Sequence, residues 1–231
     1  MSKLVFDAEG TRKFRLGVDK VALFLANASG YEKGVAWNGV SKISNSPGGA
    51  DEQKVYADNI EYASFRGQET YGGTIECYTF PDEFYECDGY ETVAKGVRAS
   101  QQKRRRFGLV WRTKIGNDTE GIDLGYEYHM AWNCSANPAS KDNDTVGENP
   151  EAASMSYEFT TTPIVMPGIL KKPTSTFVIS QLDCDAAEWK AFEDLVYGTA
   201  NAEPTMPSYD NMFGTNGVFV KSRAAIIKAA A

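Results

Sequence analysis

The chain has 231 residues, 42% hydrophobic and 12% aromatic, enough for one large domain with a full core, and it carries a formal net charge of -7. That excess of acid argues against a protein that grips nucleic-acid phosphates over its whole surface. A mean hydropathy of -0.40, with no apolar run near the length of a spanning helix, argues against membrane insertion.

The opening MSKLVFDAEGTRKF has neither an apolar signal core nor a small-residue cleavage site, so synthesis in the cytosol is expected. Alternating apolar segments bounded by turn residues then predict strands at residues 20–27, 35–45, 54–67 and 69–80, with Asn38-Gly39 as a tight turn. NSPGGADE, residues 45–52, holds a proline and two glycines and no apolar anchor. It is expected to project from the body and to reach a neighbouring molecule through Pro47, Gly48, Gly49 and Asp51. Beyond it, Val55, Tyr56, Ile60, Tyr62, Phe65, Tyr71, Ile75, Tyr78 and Phe80 suit a pleated surface, and Gly67 with Gln68 marks a turn. Pro81 ends the strand, and Asp82, Glu83 and Phe84 form the acidic first turn of a short helix.

Further strands are predicted at residues 105–115, 124–135, 154–162 and 175–182. Between two of them lies the polar insertion 137–153, read as a surface loop. A helix is predicted over 185–197: Asp185 and Glu188 have capping-box spacing, Trp189, Phe192 and Val196 recur at helical intervals as its core face, and Gly198 suits a left-handed cap. Asn216-Gly217 is a second tight turn, and residues 215–231 form a C-terminal extension with good helix formers but little apolar area.

Charge is segregated. Lys95, Arg98, Lys103, Arg104, Arg105, Arg106, Arg112 and Lys114 have no acid among them, whereas the segment 51–88 holds ten acids against Lys54 and Arg66. The run at 103–106 could contact DNA, but on an acidic chain pairing of Arg104, Arg105 and Arg106 with carboxylates across a subunit boundary is favoured.

Catalytic signals are weak. His129, the single histidine, alternates like a strand residue and has no GxSxG nucleophile motif near it. Glu61 and Glu76, placed on neighbouring strands, could in principle form a glycosidase pair, but among so many acids some such pair is inevitable. Asp142, Asp144 and Glu148 lack the glycine and final glutamate of a calcium loop, and no phosphate-binding glycine loop opens a helix. Cys77, Cys87, Cys134 and Cys184 are too dispersed for a disulfide framework and read as reduced, buried thiols. Sequons at Asn27, Asn117, Asn133 and Asn143 reflect turn-rich composition. No enzymatic activity and no cofactor is expected.

Five motifs taken together carry more information than any one. YADN, a strand, a turn, a second strand, PDEF and a glycine come first. RFGLVWR (106–112), YHMAWNCSA (128–136), YEFTTTP (157–163) and SYDNMFG (208–214) follow in order. This series resembles the major tail tube proteins of long-tailed bacteriophages with non-contractile tails (siphoviruses) over residues 16–214. The resemblance implies a mainly β fold, an antiparallel β-sandwich or partial barrel in one domain with one flanking α-helix. It also implies homo-oligomeric rings of six, stacked into a tube in the virion tail. Tape-measure and other tail proteins would be partners, and DNA would pass through without specific binding. Glu61, Glu69 and Glu76 are the candidates to face an acidic lumen that repels phosphate. Two other readings stay open: a carbohydrate-binding sandwich using Trp37, Trp111 and Trp132 as stacking platforms, and the tube protein of a phage-derived contractile or secretion device.

Overall fold

The computed structural model describes residues 4–49, 51–143, 145–146, 152–166, 170 and 172–224. Ala50, the centre of the polar insertion with Asp144 and Glu148, and the tail beyond 224 lie outside the described residues. The N-terminal half comprises β1 (Phe14–Asn27), β2 (Gly30–Tyr31), β3 (Val35–Ala36), β4 (Val40–Asn45), β5 (Gly48–Gly49), β6 (Glu52–Ala57), β7 (Ile60–Arg66), β8 (Glu69–Thr70) and β9 (Gly72–Cys77). Then come α1 (Phe84–Cys87), β10 (Glu91–Ala94), β11 (Val97–Ala99), β12 (Phe107–Asn117), β13 (Gly121–Ala136), β14 (Met155–Thr161), β15 (Thr176–Ser180), α2 (Ala186–Tyr197) and α3 (Tyr209–Phe213).

The main sheet runs β2-β1-β12-β13-β14-β9-β4, with β3 on β1 and β15 on β13. Every pairing is antiparallel. β13 is long enough to serve two partners on one edge: β15 along Glu127–Ala131 and β14 along Cys134–Ala136. Asn133 sits between those stretches with φ +50°, and the β12 register shifts there. That bulge lets one strand change neighbours, which bends the sheet. At the far edge β4 returns beside β1, so the sheet curls into a partial barrel.

Strand alternation gives this sheet two cores. On the concave side Leu23 and Leu25 of β1, Phe107, Leu109 and Trp111 of β12, Cys134 of β13 and Tyr157 and Phe159 of β14 enclose Phe84 and Cys87 of α1. Gly73 leaves room for the β4 backbone and the Phe159 ring, because a Cβ there would strike the Ser44 carbonyl oxygen and, at 2.8 Å, the ring. The convex side presents Phe24, Val110, Tyr128, Met130 and Trp132 to Trp189, Phe192 and Val196 of α2 and to Met212 of α3. The mainly β, antiparallel fold is thus as the sequence predicts, with the layers formed by one curled sheet. The flanking layer also includes a second helix, α3, beyond the one flanking helix expected from the sequence. Its capping box joins Ser208 and Asn211.

α2 starts at Asp185, whose side chain accepts from the Ala187 amide at 2.8 Å. Glu188 does not complete the predicted box. It turns inward and accepts from the amide and hydroxyl of Ser222, fastening the C-terminal segment to α2. Gly198 has φ +74° with ψ 176°, a glycine conformation but not the left-handed helical one expected.

The largest departure lies between β4 and β9. The segment 54–67 is not one strand but a hairpin: Asp58 and Asn59 both have positive φ, as a two-residue primed turn requires, and β6 pairs with β7. The predicted turn at Gly67-Gln68 instead joins β7 to β8 without reversing the chain. The expected loop 45–52 is the other side of the same arm, since Gly48 and Gly49 pair with Thr70 and Glu69. A further hairpin, β10–β11, is closed by Gly96 with φ +77°.

Candidate assembly surface

The arm spans residues 46–71 and leaves the main sheet where β4 and β9 part. Its register assigns side chains to faces, because directly paired residues share one. Gln53 pairs with Phe65, Val55 with Ala63, and Ala57 with Ile60, which places six uncharged residues on one face. Glu52 pairs with Arg66, Lys54 with Ser64, and Tyr56 with Glu61 on the opposite face. That second face is more polar: Lys54 Nζ lies 2.8 Å from Glu61 Oε2 and the Ser64 hydroxyl donates to Glu52, beside the exposed Tyr56 ring.

No part of the described chain covers the uncharged face. Val55 is 44% exposed, Ile60 63% and Phe65 62%, while Tyr62, at the register shift, is also exposed. A lone two-stranded ribbon is marginal in water, and an exposed apolar patch on such a ribbon is the kind of surface that interaction sites use. Asp58-Asn59 was the available sequence signal. Read as a turn, it puts Val55, Ile60, Ala63 and Phe65 together.

Pro47, Gly48, Gly49 and Asp51 are exposed and stand on the arm's stem rather than at its tip. The three glutamates are dispersed. Glu61 and Glu69 are on the arm, whereas Glu76 is on β9, where Lys42 Nζ reaches its Oε1 at 2.9 Å. Among the described residues β7 pairs with β6 and not with β9, so Glu61 and Glu76 are not on neighbouring strands and the glycosidase geometry fails.

The arginine block is divided. Arg105 is committed within the chain: its guanidinium meets Glu86 at 2.8 Å, pairs with Glu32, and donates through Nε to the Ala26 carbonyl at 2.8 Å. Those contacts, to Ala26 of β1, Glu32 just beyond β2 and Glu86 of α1, compete with any partner's carboxylate. Arg104 is half-buried and faces Asp88 at 3.4 Å, while Lys103 and Arg106 are exposed, Arg106 donating to the Thr162 hydroxyl at 3.1 Å.

The tryptophans are not platforms. Trp37, Trp111 and Trp132 are all buried, which removes the basis for carbohydrate stacking. Trp37 packs on Phe84 with ring centroids 4.5 Å apart, and Trp132 donates to the Pro207 carbonyl at 2.7 Å. His129 is stacked on Trp111, and its Nε2 lies 3.0 Å from the Thr113 hydroxyl and 3.5 Å from Glu127. Arg15 clamps Glu127 at 2.6 and 3.0 Å. Burial pushes the imidazole below its ordinary value, Glu127 opposes that shift, and Arg15 reinforces it. Cys77, Cys87 and Cys134 are buried and free, and burial raises the first two thiols to about 11 and about 12. Among the described residues no group of acidic, histidine or cysteine side chains is placed to hold a metal ion, and no helix is long and apolar enough to cross a membrane.

No protein-family profile and no curated protein matches the chain. Among solved structures it is similar to a chain of the anti-feeding prophage baseplate, at 9% identity and TM-score 0.37, covering 76% of this chain and 97% of that one. A chain of the anti-feeding prophage tube-terminating cap aligns at 12% identity and TM-score 0.31, over 78% and 96%. A third, from the sheath/tube terminator of the PVC extracellular contractile injection system, aligns at 10% identity and TM-score 0.32, over 77% and 99%. Likenesses of this order carry no functional argument, so the functional reading rests on the chain's own motifs and surface.

Proposed function

We propose that this protein is a structural subunit of a bacteriophage tail tube, forming rings of six that stack into a conduit for DNA delivery. The observation that carries the reading is the arm, whose uncharged face of Val55, Ile60, Ala63 and Phe65 has no cover within its own described chain. The motif series supplies the family, and the arm supplies the contact. A second copy of the chain is the partner, because a head-to-tail contact between identical subunits whose rotation closes gives a ring, and a further such contact along the axis stacks rings into an open filament. The non-contractile assignment rests on the sequence motifs. Tape-measure and other tail proteins are the further partners, and net negative charge suits a lumen that DNA passes without being held.

Excising the arm tests this. Asn45 pairs with Gly73, and the Ser46 amide donates to the Gly72 carbonyl at 2.8 Å, so the strands on either side of the arm already meet and an Asn-Gly turn can replace residues 47–71. Negative-stain electron microscopy of the parent should show hollow rings or tubes, and the excised variant should be a folded monomer. A parent that stays monomeric under all assembly conditions, or an excised variant that still forms tubes, contradicts the proposal.

A further inference from the structure

The side chain of Lys141, at the start of the polar insertion, is not solvated like an ordinary loop lysine. Its ammonium lies 4.9 Å from the Tyr90 ring centroid, 5.3 Å from Phe80, 5.6 Å from Tyr157 and 5.8 Å from Tyr85. At the base, Asp88 Oδ2 is 2.7 Å from Nζ, and that carboxylate is only 5% exposed. Aromatic faces attract cations through their quadrupole, and several faces around one point are the arrangement that recognises alkylated ammonium groups.

The rings hold one another independently of the lysine. Phe80 meets Tyr85 edge-on at 4.9 Å and Tyr157 at 5.7 Å, and Tyr85 meets Tyr90 at 5.5 Å. Asp88 is fixed as the C-cap of α1, where its amide donates to the Phe84 carbonyl at 3.0 Å. The site is therefore built before its occupant arrives. Lys141 enters on a short stretch of chain anchored by the Asn137 amide, which donates to the Glu158 carbonyl at 2.8 Å, and by Ala139 packed on the concave core.

We propose that Phe80, Tyr90, Tyr157 and Asp88, with Tyr85 bracing the rings, form a binding socket for alkylammonium cations, which the chain's own Lys141 fills as a removable plug. Arg104 lies 3.4 Å from the other Asp88 oxygen, and Arg98 already stacks on the Tyr85 ring at 4.0 Å, so the faces left to the cation are those of Phe80, Tyr90 and Tyr157. The proposal is independent of the tube reading, since the socket is built from α1, β14 and their flanks rather than from the arm.

The test uses Lys141→Ala, with near-ultraviolet circular dichroism to check the fold, titrated with tetramethylammonium chloride against sodium chloride at matched ionic strength. Tyrosine fluorescence should respond saturably in the variant and not in the parent at the same concentrations. Adding Asp88→Asn should weaken the response by about tenfold, the effect of losing roughly 1.4 kcal/mol. A folded variant with no saturable response, or a parent that responds equally, overturns the proposal. A second measurement needs no variant to fold: reductive methylation of the parent, followed by peptide mass spectrometry. The socket requires Lys141 to react several-fold more slowly than exposed Lys33 and Lys103, and equal rates overturn it.

Discussion

Replacing Phe65 with serine removes the largest apolar side chain from the uncharged face of the arm while leaving the β6–β7 backbone pairing intact. Phe65 is 62% exposed in the single chain. For an aromatic of about 200 Å² that leaves roughly 120 Å² available for burial by a neighbour. At about 25 cal/mol per Å² the contact is worth about 3 kcal/mol, roughly two orders of magnitude in association constant. In the free subunit the ring lies largely in solvent, and surface changes of this kind shift monomer stability by about 0.5 kcal/mol or less. The expected result is an unchanged urea midpoint with a critical concentration for assembly raised by about a hundredfold, measured by light scattering and sedimentation. Assembly at the parent's critical concentration would show that the face stays wet in the tube and would refute the reasoning. A lowered urea midpoint would refute it differently, by showing that Phe65 supports the fold.

Trp189 is buried on the convex face against Tyr128, with ring centroids 4.9 Å apart, so Trp189→Ala should cost about 3 to 5 kcal/mol and clearly lower the thermal midpoint. Coincident midpoints would disprove the packing role. Arg105→Glu places a carboxylate against Glu32 and Glu86 and should destabilise the monomer, whereas Lys103→Glu, at an exposed position, should leave the urea midpoint unchanged; equal midpoints for the two variants would contradict the intrachain network. For His129, whose pKa is lowered from 6.5 mainly by burial, the unfolded chain takes up the proton first as pH falls. Its contribution to stability is therefore fully present above pH 6.5 and is lost as pH falls through the folded value. Melting curves from pH 8 to pH 5 should show a decline that His129→Gln reduces, and parallel declines in the two proteins would exclude the imidazole as the source.

The sequence by itself determined where the apolar alternation lies. Residues such as Leu23, Leu25, Leu109 and Trp111 occupy strands because period-two burial against a core is legible locally, and the α2 face of Trp189, Phe192 and Val196 is legible for the same reason at period 3.6. The cap at Asp185 belongs to the same class of short-range information. What alternation does not state is which partner covers a face. Val55, Ile60 and Phe65 have the composition of a core strand, yet the Asp58-Asn59 turn folds them into an arm that nothing in the described chain covers. Trp37, Trp111 and Trp132 could equally have been surface platforms until the curl of the sheet buried them. The partners of Arg105, the double pairing of β13 and the ring cage around Lys141 all join residues distant in sequence. Those contacts depend on how the sheet bends at Asn133 and returns at β4, a consequence of long-range register that only the tertiary structure fixes.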